Sequence, residues 1–166
     1  MMRRFVISDT HFGHDAVYTF KDSKGDLLRP WAKDATEGDQ ILVARWNSVV
    51  DPDDKVYVLG DVVFPRRVLP ILNTLNGKKV LIKGNHDIFK IKDYLEYFED
   101  IRGAFEMGNV LMTHIPIHPQ ELGRWKVNIH GHLHERVVND PRYVNVSVEQ
   151  VDGYPVNLEQ ITSKLG

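Results

Sequence analysis

Five short apolar runs, each followed at once by residues able to hold a metal, constrain this chain more than any other feature. Phe5-Val6-Ile7 leads to Asp9 and His11, Val56-Tyr57-Val58-Leu59 to Gly60-Asp61, and Val80-Leu81-Ile82 to Gly84-Asn85-His86-Asp87. Val110-Leu111-Met112 leads to Thr113-His114, and Val127-Asn128-Ile129 to His130-Gly131-His132-Leu133-His134. Apolar runs this short, bounded by turn residues, read as buried strands. Open α/β sheets gather ligands at the carboxyl ends of their strands, where all these polar residues fall. Asp9 and His11 are two apart, as are His132 and His134, a spacing that turns both side chains of an extended segment to one face. Taken singly, each stretch is an ordinary turn or a buried histidine. Five in order, each behind its own strand, point to one shared metal site.

The intervening segments predict helices. Thr36 reads as an N-cap, with Ile41, Leu42, Trp46, Val49 and Val50 at largely helical spacing until Asp51-Pro52-Asp53-Asp54 turns the chain. Pro65 can open a second helix whose core face is Val68, Leu69, Leu72 and Leu75, although Pro70 is awkward inside it; Gly77 ends it. Short helices are expected near 15–20 and over 89–98, and the polar loop 21–35 leaves the end of the Asp9 strand, where it could border the site. Strand–helix alternation up to residue 100 favours a partly parallel sheet with right-handed crossovers. Beyond it the texture changes: 101–105 and 110–113 flank Met107-Gly108-Asn109 as a hairpin, with further strands at 127–129, 143–148 and near Val156. With 166 residues and no repeat or linker, the expectation is a single α/β (mixed α+β) domain over 1–166.

The chain has no cysteine, so thiolate metal sites and disulfides are excluded, and any metal must be held by His, Asp, Glu, Asn or backbone oxygen. Six of the eight histidines lie in the five stretches. That nitrogen and oxygen set suits manganese, iron, zinc, nickel or cobalt better than calcium or magnesium, and two divalent ions, manganese first, are the expectation. Such a pair polarises a phosphoryl oxygen and lowers the pKa of a shared water, which implies a metal-dependent hydrolase. A formal charge of −2, from 21 Lys+Arg against 23 Asp+Glu, lacks the basic excess of a dedicated nucleic-acid binder. No apolar run approaches the ~20 residues that span a membrane. Met1-Met2-Arg3-Arg4-Phe5 reads as the first strand and not as a signal peptide. A cytoplasmic protein with no membrane association is the expectation.

On these motifs the chain resembles the calcineurin-like metallophosphoesterases, which include serine/threonine phosphatases and purple acid phosphatases. The family's ordered signature stands here as Asp9-Thr10-His11, Gly60-Asp61, Gly84-Asn85-His86-Asp87, His114 and Gly131-His132-Leu133-His134. Asp9-Thr10-His11-Phe12-Gly13-His14 is most similar to small bacterial and phage members without a cap domain. The resemblance implies two mixed β-sheets packed as a sandwich flanked by helices. It implies one metal held by Asp9, His11, Asp61 and His134 and another by Asp61, Asn85, His114 and His132, with Asp61 as the bridge. It further implies hydrolysis of phosphodiesters or phosphomonoesters by a hydroxide shared between the metals, with His86 as general acid.

Small phosphate esters, cyclic nucleotides and nucleic-acid ends are the substrates this resemblance suggests, with Asn85 and His14 as contacts. Phe64 stands where many relatives carry an Asp or His that positions the catalytic imidazole, which leaves open what orients His86. His118 reads as structural or solvent-facing, and His130 as a core residue or a support behind the ligands. Arg124 and Trp125 offer a phosphate and base clamp, or ordinary surface packing. Two rival readings are a binding scaffold of the same fold and a nuclease subunit that needs a protein partner.

Overall fold

A computed structural model describes residues 1–165 of the chain. In chain order its strands are β1 (Arg4–Ile7), β2 (Lys55–Val58), β3 (Lys78–Ile82), β4 (Asp100–Arg102), β5 (Phe105–Met107), β6 (Val110–Met112), β7 (Val127–His130), β8 (Tyr143–Asn145) and β9 (Val156–Asn157). They form two mixed sheets of order β4-β3-β2-β1-β9 and β5-β6-β7-β8. In the first, β1 to β4 pair in parallel and β9 is antiparallel to β1; in the second, β6, β7 and β8 are parallel and β5 is antiparallel.

The apolar runs are continuous because the larger sheet is covered on both faces. Phe5, Ile7, Val56, Val58 and Leu81 face a helical layer, whereas Val6, Tyr57, Leu59, Val80 and Ile82 alternate with them and face the second sheet. Val110, Met112, Val127 and Ile129 answer from the smaller sheet, joined by Val146 just beyond β8, completing the sandwich. The two sheets also join through backbone directly beneath the candidate site. Ser8 N–H donates to the Val146 carbonyl at 3.0 Å, and Val148 N–H donates to the Ser8 carbonyl at 3.0 Å.

The helical layer starts with α1 (Ala35–Val49), which buries Leu42 and Trp46 against the sheet. Its N-cap is Asp34 and not Thr36: extended Asp34 reaches the Glu37 N–H with its carboxylate at 2.9 Å, so the helix begins earlier than expected. Residues Arg66–Thr74 form a 3-10 helix. Pro70 lacks an N–H and crowds the carbonyl four residues back, which disfavours α geometry there. Leu69 and Leu72 still pack into the core.

The helix expected over 89–98 is only α2 (Ile91–Tyr94). The strand expected over 101–105 divides between the sheets, β4 ending at Arg102 and β5 starting at Phe105. The hairpin turn between β5 and β6 holds, with Gly108 at φ 56. The strand expected over 143–148 stops at Asn145, and α3 (Val148–Val151) follows; α4 (Leu158–Thr162) comes after β9. Among the described residues no helix is long and apolar enough to cross a membrane.

Candidate metal centre

Behind three of the five strands, β1, β2 and β7, the backbone delivers the strand-end residues through left-handed turns. Asp9 (φ 60), His11 (φ 48), Asp61 (φ 53), His132 (φ 67) and His134 (φ 51) all lie in that region, which costs a side-chain-bearing residue of order 1 kcal/mol or more. Among the described non-glycine residues only Asp152 shares it. The turns are locked to one another: Asp9 N–H donates to the Gly60 carbonyl at 3.0 Å, and His11 N–H to the Asp61 carbonyl at 3.0 Å. Two glycines permit the approach. A Cβ on Gly84 would overlap Asp61 Oδ1 and the Asp61 backbone nitrogen, and one on Gly131 would overlap Ser8 Oγ and Asp9 Oδ2.

Two clusters result, Asp9–His11–His134 and Asp61–His114–His132, and within each the candidate ligand atoms lie within 4.8 Å of one another. Asp9 Oδ2 is anchored by the Ser8 hydroxyl at 2.6 Å, the His132 N–H at 2.8 Å and the Ser147 hydroxyl at 3.2 Å. Its Oδ1 accepts no hydrogen bond and points at His11 Nε2 and His134 Nε2, both 3.7 Å away. Those separations are too long for hydrogen bonds and leave buried donor atoms facing a common point, as a cation requires. Asp61 divides its oxygens in the same way. Oδ1 accepts from the His86 N–H at 2.8 Å, while Oδ2 sits 3.7 Å from His11 Nε2 and 3.3 Å from His114 Nε2, between the clusters. Asn85 Oδ1 lies 2.9 Å from His114 Nε2 and 3.1 Å from His132 Nδ1, which brings all seven expected ligands together.

The charges are mutually adjusted. Burial would raise the Asp9 carboxyl, but the neighbouring His11 imidazole, the charges of His114 and His134, and the Ser8 hydroxyl hold it well below the usual carboxylate range. Asp61 is also lowered, burial being outweighed by His114. For His114, burial works downward, yet Asp61 and the Asp9 charge push it up to about 8. His134 is raised as well, against burial, by Glu149.

Glu149 belongs to a buried support that sequence reasoning missed. Its Oε1 accepts from His134 Nδ1 at 3.1 Å and from Arg29 Nε at 2.9 Å. Arg29, fully buried, also donates to the carbonyls of Asp9 at 2.6 Å and Thr10 at 2.9 Å, bracing the first ligand turn. A carboxylate behind a metal-facing imidazole fixes its tautomer and ring orientation. The only signal for Arg29 was the 21–35 loop bordering the site. Glu149 gave none.

Asp87 answers a different question. Its carboxylate accepts from the N–H groups of Gly84 at 2.7 Å, Asp61 at 2.8 Å and Val62 at 3.0 Å, tying two ligand loops together instead of orienting the His86 ring. His86 is exposed, its ring 5.8 Å from that of His11 and 6.1 Å from that of Phe64. His14 stacks on Phe64 at 3.8 Å; burial, with the charges of His11 and Arg29, pushes its imidazole down to about 4. His130 is fully buried beneath the Gly131 turn, and His118 accepts from the Gln120 N–H in a surface 3-10 turn. Arg124 is paired with Glu106 at 2.6 Å and lies over the Trp125 ring, so its partner is the hairpin and not a phosphate clamp.

Comparison with known proteins places the chain in a family. The calcineurin-like phosphoesterase superfamily domain matches residues 2–150. An uncharacterised protein of Methanocaldococcus jannaschii is 30% identical over 172 residues, covering 97% of this chain and 90% of that protein. The gene 66 protein of Mycobacterium phage D29 is 27% identical over 187 residues, covering 90% of this chain and 89% of its own length. A crystal structure of a protein of unknown function from Aquifex aeolicus shares the fold, with a TM-score of 0.70 at 23% identity over 99% of this chain and 100% of that one.

Proposed function

Because the chain belongs to the calcineurin-like phosphoesterase superfamily, we propose that it is a two-metal phosphodiesterase acting as a single domain over residues 1–166. Asp9, His11, Asp61 and His134 hold one divalent ion, and Asp61, Asn85, His114 and His132 the other, with manganese the first choice. The observation that carries this reading is Asp61 Oδ2, poised 3.7 Å from His11 Nε2 and 3.3 Å from His114 Nε2, where one carboxylate oxygen serves both clusters. When bound, the ions supply Lewis-acid charge at a phosphoryl oxygen and a water acidic enough to attack near neutral pH.

The remaining work falls to the chain. His86 stands at the solvent edge with its backbone N–H held on Asp61 Oδ1, so its ring faces substrate and delivers a proton to the leaving oxygen. Asn85 turns its Oδ1 toward His114 and His132, which leaves its amide N–H groups for a phosphoryl oxygen. Exposure of both Asn85 and His86 suits a diester whose two substituents leave the site in different directions.

Metal analysis paired with hydrolysis of bis-p-nitrophenyl phosphate and p-nitrophenyl phosphate, with and without manganese, tests the proposal. About two ions per chain with diester turnover supports it. The variant His86→Ala should keep its metal yet lose turnover on esters with poor leaving groups, by roughly 100-fold or more. Bound metal without turnover of either ester would favour a binding scaffold.

A further inference from the structure

Beside the candidate proton donor stands an aromatic surface that the metal chemistry does not use. We propose that the stacked pair Phe64–His14 binds an unpaired nucleobase on the leaving side of the substrate. The assignment to that side rests on the phosphodiesterase reading; the affinity for a base does not.

The rings of His14 and Phe64 lie 3.8 Å apart with 4° between their planes. Phe20 meets His14 edge-on at 6.1 Å and 85°. Phe64 is 44% exposed and Phe20 48%, large apolar areas left in water beside a polar centre. With one face of Phe64 covered by His14, its exposure belongs to the opposite face and edge. The surface is rigid. Phe64 N–H donates to the Phe12 carbonyl at 2.9 Å, and Phe12 bridges to Val63. The two loops touch so closely that a Cβ on Gly13 would meet Val68 Cγ2 at 2.8 Å and Pro65 Cδ at 2.9 Å.

The location sets the ligand. The Phe64 ring is 6.1 Å from the His86 ring, a gap that a sugar between the departing oxygen and its base can span. A flat, open, prestacked ring presents a π-face, and every nucleobase has one to match it. An aliphatic substituent would gain little from such a face over any other apolar wall. The chain's net charge of −2 speaks against a long duplex, which leaves a nucleotide or a single-stranded end as the form in which the base arrives.

The test compares kcat/KM of the manganese-loaded protein on a thymidine dinucleotide and on the two analogues in which one or the other thymine is replaced by hydrogen. Loss of the leaving-side thymine should lower kcat/KM roughly 5- to 150-fold. Phe64→Ala should bring that ratio near one, and Phe64→Trp should retain it, which a merely structural role would not predict. Equal rates with and without the base in the wild type, or an unchanged ratio in Phe64→Ala, would overturn the proposal. If no diester is hydrolysed the phosphodiesterase reading fails. Calorimetric binding of thymidine 5′-monophosphate against deoxyribose 5-phosphate then decides the matter: tighter binding of the base-bearing ligand that is lost in Phe64→Ala upholds the surface, and equal affinities refute it.

Discussion

Metal uptake by this protein should be driven against a proton on His114. In the metal-free chain His114 Nδ1–H donates to the Leu59 carbonyl at 2.6 Å, while Nε2 faces two acceptors, Asn85 Oδ1 at 2.9 Å and Asp61 Oδ2 at 3.3 Å. Both ring nitrogens therefore carry hydrogen, consistent with an imidazole pushed up to about 8. A cation needs the Nε2 lone pair, so binding expels that proton. At pH 7 about nine-tenths of the His114 rings are protonated, weakening affinity about tenfold; at pH 6 the factor is about 100.

Calorimetric titration with manganese at pH 6, 7 and 8, in buffers of different ionisation enthalpy, counts the protons released. The expected result is about one from His114 at pH 7, with a further contribution from raised His134. Affinity that is flat from pH 6 to 8, or release of less than about half a proton, would refute the reasoning. The same proton stabilises the metal-free fold. Its contribution of about 2 kcal/mol is complete below pH 6.5 and is lost as the pH rises through about 8, opposite in sign to its effect on metal binding.

Three other perturbations test separate parts of the site. Glu149→Gln keeps an acceptor for His134 but removes the charge behind it, and should weaken one of the two ions roughly 10- to 100-fold in stepwise metal titration while sparing the other. Asp87→Asn turns an amide NH₂ toward backbone donors that now share three good bonds, and should cost about 2–4 kcal/mol in urea unfolding of the metal-free protein; a loss under about 0.5 would show that the loops hold without it. Asp39, raised to about 6 chiefly by burial despite two bonds from the Gly13 N–H, binds more protons folded than unfolded between pH 4 and 6. The Asp39→Asn variant should therefore gain stability relative to wild type as pH rises across that window, and a difference that stays level would contradict the burial argument.

The seven candidate ligands were legible because parallel strands impose a simple grammar. Each apolar run is buried on both faces and ends where the sheet opens, so the next polar residue is delivered to a common edge. The supporting residues had no such grammar. The strand expected over 143–148 ended short of Glu149, and only because α3 begins at Val148 does that carboxylate turn inward. Arg29 meets Glu149 across 120 positions, a pairing no local pattern encodes. The division of 100–107 between two sheets was hidden for a related reason: Ile101 and Phe105 satisfy one strand's pattern equally well whichever sheet receives them. Asp87 is adjacent to His86 in sequence, yet adjacency says nothing of its partners, and its bonds run to backbone.

Anyone who transplants this centre will meet the left-handed turns first. Copying Asp9, His11, Asp61, His132 and His134 onto three ordinary strand ends would reproduce the side chains without the φ values near 48–67° that aim them. A recipient scaffold would need the turns, the close glycines and the interlocked carbonyls before any ligand was chosen. The portable unit is a piece of main chain, and the ligands are its last additions.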